Sequence, residues 1–156
     1  MDLIDVHTHI VPETFPVYSL PVPEKRWPCM QCSSPTEANI LIDNKPFRAL
    51  DHRSWDMEKR MDDMVQAGVT RQALSPMPEL LSYWFRPDAG LEMCRWMNQT
   101  IATAVNDKPT QFSGLGIVPL QDPQLAAKEL GRLKADGFSG IELGSNINGD
   151  LLGDPK

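Results

Sequence analysis

What most constrains this chain is the order of its hydrophobic patterns. From residue 54 onward, short apolar runs alternate with amphipathic stretches of helical period. "VTRQALS" (residues 69–75), "FSGLGIVPL" ending at Pro119, and "SGIELGS" read as strands. Between them, "SWDMEKRMDDMVQAG", "LEMCRWMNQTIATAV" and "DPQLAAKELGRLKADG" place apolar residues at helical spacing. The first helix is expected to start at Ser54 as N-cap, to bury Met57, Met61, Met64 and Val65, and to stop at Gly68. The second carries Leu91, Cys94, Met97, Ile101 and Ala104 on one stripe. The third takes Asp122 as N-cap and Pro123 at its first helical position, with Gly137 past its end. With "IDVHTHI" as the opening strand, the order is strand, insertion, helix, strand, helix, strand, helix, strand. Such alternation predicts parallel strands joined by right-handed crossovers. No glycine-rich phosphate loop follows a strand, since "GLGIVP" lies within one. A (β/α) barrel is therefore expected over a nucleotide-binding open sheet.

Barrels of this kind carry their chemistry at the C-terminal ends of the strands. His7 and His9 stand at such an end. Side chains at i and i+2 of a strand share a face, so the two imidazoles project together and can share a metal ion. A pair of ordinary hydrogen-bonded histidines is the competing reading. The region from about 11 to 53 interrupts the alternation. It begins with a proline-rich irregular stretch and continues with "EANILIDNKPFRAL", a hairpin between Ala38 and Leu50 turning at Asp43 and Asn44. "RWPCMQCSSPTE", which holds Cys29 and Cys32, reads as a loop. Its C-x-x-C spacing lacks the second pair of a structural zinc site and the strand-to-helix setting of a redox site, which leaves a zinc shared between subunits as the one functional alternative.

Length and charge narrow the class further. The 156 residues suit one domain, and a net charge of -6 argues against an unaided nucleic-acid partner. No apolar run is long enough to cross a membrane, and the acidic start lacks a secretory signal. Three cysteines, an odd number, fit a reducing compartment, so a cytoplasmic location is expected.

Several segments carry a resemblance. "IDVHTHIVP" resembles the first strand of the amidohydrolase superfamily, in which an H-x-H pair ligates a divalent metal. "PFRALDHRSWD", "GVTRQALSPMPELLSYW", "GLGIVPLQDPQLAAKEL" and "GIELGSNINGDLL" are similar, in the same order, to segments of the aminocarboxymuconate-semialdehyde decarboxylases and their relatives. The resemblance implies a (β/α)8 TIM barrel of amidohydrolase type and a non-oxidative decarboxylase using zinc or another divalent metal. The substrate it implies is a small unsaturated or aromatic carboxylic acid, in that family an intermediate of tryptophan catabolism. His7 and His9 are then metal ligands, and Arg48 binds a substrate carboxylate, a task suited to a guanidinium fork. Trp84 and Asn146 would line the mouth, and Phe47 is either a wall residue or packing.

The family barrel has eight strands, whereas this sequence supplies four. The remaining metal ligands and the catalytic groups belong to later strands, so no catalytic residue is assigned here. The chain is expected to be the N-terminal half of a barrel, one unit over 1–156: a fragment, a truncated gene product or one piece of a split protein. Its expected partners are the small acid, the missing barrel half, or copies of itself in a homo-oligomer, and alone it is expected to be inactive. Two alternatives remain. One is a metal-dependent hydrolase of a lactone or amide; the other is a non-catalytic half-barrel that serves binding or assembly.

Overall fold

The computed structural model describes residues 2–22 and 24–154. Met1, Pro23, Pro155 and Lys156, all within the expected 1–156 unit, lie outside the described residues. The strands β1 (Ile4–Ile10), β5 (Arg71–Pro76), β6 (Phe112–Gly116) and β7 (Gly140–Ile141) form one parallel sheet in the order β1-β5-β6-β7. Helices α1 (Met57–Ala67), α2 (Pro87–Asp107) and α3 (Pro123–Ala135) make the crossovers. This is the expected half-barrel: four neighbouring strands in sequence order, with helices packed on one face.

Alternation within the strands decides which face that is. Phe112, Gly114 and Gly116 of β6 are buried, while Ser113 and Leu115 are half-buried. The buried set meets the helices in a core of Ile10, Met64, Leu74, Ile101, Ala104 and Phe112. Each large apolar side chain there contributes about 1.5–3 kcal/mol. Gly114 is required for close approach, because a Cβ there would lie 2.9 Å from Ile101 Cγ2 and 3.1 Å from Phe138 Cδ1. The opposite face, toward the barrel axis, has no layer of its own among the described residues. Parallel sheets normally bury both faces.

Local chemistry explains the helix limits. Asp122 caps α3 by accepting from the amides of Gln124 and Leu125, with Pro123 first in the helix, as expected. At α1 the cap is Asp56 rather than Ser54. The Asp56 carboxylate takes the amides of Glu58 and Lys59, while the Ser54 carbonyl accepts from Val11 N–H. Gly68 ends α1 in the left-handed region at φ 70°. Val65 is 80% exposed and does not join the buried face, because Met64 occupies the inward position and the next residue is rotated about 100° from it. Helix α2 begins earlier than expected, at Pro87.

The insertion holds more strand than expected. β2 (Cys29–Ser34), β3 (Glu37–Ile42) and β4 (Lys45–Asp51) form an antiparallel meander, so the cysteine-bearing segment is a strand and not a loop. Asp43 and Asn44 both adopt positive φ, 54° and 58°, as a tight hairpin turn requires. Cys29 pairs with Leu41 and Cys32 with Ala38 in unbroken register. Three residues apart on a strand, their thiols point to opposite faces and share neither a disulfide nor a metal. Ala38 and Ile40 are both buried, and Ile40 joins a second core with Val11, Met77, Leu80, Tyr83, Phe85 and Ile117. That core seats the meander over the C-terminal rim of the sheet. β7 is shorter than "SGIELGS" suggests and leads into a small hairpin, β8 (Asn146–Ile147) with β9 (Asp150–Leu151).

Candidate active site at the strand rim

The histidine pair sits where β1 departs from regular pairing. Asp5 is opposite Gln72 and Thr8 is opposite Leu74, so Val6 and His7 together face the single residue Ala73. This β-bulge changes the parity of the strand. Asp5 and Thr8 both fall on the helix side, sharing the face of the buried Gln72 and Leu74. His7 is exposed and His9 half-buried, and their ring centroids lie 5.0 Å apart at 86°.

His9 is fixed from several directions. Its Nδ1 lies 2.9 Å from the Pro76 carbonyl and 3.0 Å from Ser75 Oγ. A carbonyl only accepts, so this geometry puts the ring proton on Nδ1 and leaves the Nε2 lone pair free. Ser75, the ladder partner of His9, donates its hydroxyl to the Thr8 carbonyl at 3.1 Å. Glu142, just past β7, brings Oε2 to 3.7 Å from the same Nδ1, and that oxygen is buried without a hydrogen-bond partner. Nearby, burial pushes the Tyr83 hydroxyl above its ordinary pKa; its oxygen accepts from Gly144 N–H, and the Glu142 charge acts in the same direction as burial. An anchored imidazole with one free nitrogen, beside a second imidazole, is a donor set that suits a divalent cation. Two such ligands leave the set incomplete. Among the described residues, no three His, Cys, Asp or Glu side chains are placed to hold a metal.

The other sequence-predicted residues are distributed around the rim. Arg48 faces inward from β4, opposite the buried Ile40, and forms an ion pair through Nη2 with Glu79 Oε1. Glu79, in the loop after β5, keeps its Oε2 buried and unpartnered. Phe47 is the extra residue of a bulge in β4 and is 52% exposed. Trp84 lies under the guanidinium of Arg26, 4.2 Å from ring centroid to Cζ, with its indole N–H buried and unpartnered. Asn146 is exposed and occupied with its own hairpin, accepting from Gly149 N–H and donating to Ser145 Oγ. Sequence reasoning missed Glu79, Glu142 and Arg60. Only Arg60 left a signal, as a charge within a methionine stripe.

Residues 4–156 match the amidohydrolase family. The chain is an amidohydrolase-family member. It is 35% identical over 154 residues to the 2-amino-3-carboxymuconate-6-semialdehyde decarboxylase of Dictyostelium discoideum, a match covering 98% of this chain and 43% of that protein. A solved 5-carboxyvanillate decarboxylase from Novosphingobium aromaticivorans, complexed with manganese and 4-hydroxy-3-methoxy-5-nitrobenzoic acid, is 30% identical with a TM-score of 0.61, covering 64% of this chain and 29% of that one. The apo structure of Metarhizium anisopliae IDCase covers 99% of this chain and 45% of its own, with a TM-score of 0.75. At 15% identity it bears on the fold alone. This amidohydrolase-family chain spans less than half the length of each of these relatives, and its four strands form the first half of their barrel.

Proposed function

We propose that this chain is the ligand-bearing first half of a divalent-metal-dependent, non-oxidative decarboxylase, one unit over 1–156 with its insertion at about 11–53. Its substrate would be a small unsaturated or aromatic carboxylic acid, with aminocarboxymuconate semialdehyde the leading candidate. The observation that carries this reading is the His9 ring, anchored through Nδ1 with Nε2 free, edge-on to His7 at the barrel rim. His7 and His9 would hold the metal, manganese or zinc, together with ligands from outside this chain. A bound metal would supply stabilisation of the negative charge left on the substrate as its carboxylate departs as carbon dioxide.

The chain's own residues bind and orient. Arg48 uses one guanidinium nitrogen on Glu79 and keeps other donors for the substrate carboxylate. Trp84, with Arg26 over one face of its ring, would border an unsaturated acid together with Asn146 and Phe47. The relatives' names and the manganese in the Novosphingobium enzyme support the assignment. A cytoplasmic location, expected from the odd number of cysteines, belongs to the same proposal.

The test is carbon dioxide release from a panel of carboxymuconate and hydroxybenzoate acids with manganese or zinc supplied. The chain would be assayed alone and mixed with a polypeptide carrying the later barrel strands of the Dictyostelium relative. Release only from the mixture, abolished by H9A, is expected. Ring opening of a lactone without carbon dioxide would replace the decarboxylase with a hydrolase, and no turnover in either sample would favour a binding module.

A further inference from the structure

Arg60 is a charged residue on an apolar helix face, and the function proposed above gives it no task. It is only 9% exposed. From α1 its guanidinium enters the seam between β1 and β5, where Nη2 donates to the His9 carbonyl at 2.7 Å and Nη1 to Gln72 Oε1 at 3.2 Å. Its Nε is buried without a partner. Gln72 stands opposite Asp5 in the ladder, and the Asp5 carboxylate accepts from the His7 amide at 3.1 Å. The bulge of β1 therefore lies between two side-chain hooks, Asp5 on the amide of one histidine and Arg60 on the carbonyl of the other.

Energetics sharpen the point. A buried guanidinium with an unmet N–H is costly, and a methionine at this place would continue the stripe of Met57, Met61 and Met64 without that cost. What the guanidinium supplies and methionine cannot is a fixed backbone at His9. A bulged strand left to itself has more than one way to place its extra residue, and each way aims the following side chains differently.

We propose that Arg60, acting with Asp5, is a positioning residue for the His7 and His9 pair: the two hooks hold the β1 bulge in the arrangement that sets both imidazoles side by side at the rim. The assignment builds on the reading of the pair as metal ligands, but its geometric content can be measured without metal.

The experiment uses the isotopically labelled 156-residue chain as wild type, R60M, R60K and D5A. Two signals are read by NMR: the ring-to-ring NOE between His7 and His9, and the shifts of their ring protons on titration with zinc chloride, with His52 as internal control. R60M and D5A are expected to keep the far-ultraviolet circular dichroism of the wild type, lose the NOE, and weaken zinc binding at least fivefold. R60K is expected to recover part of both signals. Folded R60M and D5A with the NOE intact and zinc binding within twofold of wild type would overturn the proposal. Should R60M not fold, D5A decides by the same two signals. A wild-type chain that shows the NOE without a shared zinc response removes the ligand reading, and the NOE in the variants still decides the positioning role.

Discussion

Asn98 ties α2 to the segment that carries β6 to the rim, and its replacement tests how much that tie contributes. Its Nδ2 donates to the Ile117 carbonyl at 2.9 Å and its Oδ1 accepts from the Ile117 N–H at 2.8 Å. Ile117 is fully buried, so no water stands ready to replace the amide. N98A leaves one donor and one acceptor of the main chain unpaired, each costing about 1–3 kcal/mol. The sum, about 2–6 kcal/mol, is a large share of the 5–15 kcal/mol typical of a domain and corresponds to a melting-temperature loss of roughly 4–24 °C at this size. N98D retains an acceptor for the Ile117 amide but not a donor for its carbonyl, and should lose at least half as much. Urea unfolding followed by circular dichroism measures both variants. A loss under about 1 kcal/mol in N98A with an unchanged m-value would show that the paired amide is not what holds the segment.

Four further outcomes are expected. Glu129, almost fully buried, takes a two-pronged hydrogen bond from Arg95 that holds its carboxyl below the ordinary 4.5; its folded pKa is thus depressed, and the stability it contributes is present above pH 4.5 and lost as pH falls through the lowered value. The stability gap between wild type and E129Q, measured in urea at pH 6 and pH 3, should therefore narrow at the lower pH. In thiol titration with Ellman's reagent, the exposed Cys29 and Cys32 should react at once, whereas Cys94, buried and with its thiol pushed up to about 12, should react only on unfolding. Mild oxidation should give no internal Cys29–Cys32 disulfide by mass spectrometry. D122A removes the cap of α3 and should cost about 1 kcal/mol in urea unfolding.

The helices and central strands were legible where one residue decides a local conformation. Asp122 with Pro123, Gly68 and the Asp43-Asn44 turn each have few alternatives, and each was read correctly from the sequence. Where two residues of similar chemistry compete, the sequence cannot rank them: Ser54 and Asp56 are both capping residues, but Ser54 ends a separate short 3-10 turn over His52–Ser54 and the helix starts only after Asp56. β2 was missed because its cysteines, glutamine and serines lack the apolar alternation of a half-buried strand; it is held by β3 rather than by its own side chains. At the site, the two-residue spacing of His7 and His9 was readable, but the bulge that turns Asp5 to the helix side was not. Glu79 lies 31 residues from Arg48 and Glu142 lies more than a hundred residues from His9; only the parallel crossover topology and the folding of the meander onto the rim bring such pairs together.

β1 is an edge strand among the described residues, braced by β5 on one side only. If its imidazoles grip a cation whose other ligands arrive on a neighbouring strand, docking and ion capture become one thermodynamic cycle. Whatever factor the ion adds to the affinity of the two halves, docking must return to the affinity for the ion. Chelation would then loosen the assembly as surely as dissociation would release the metal.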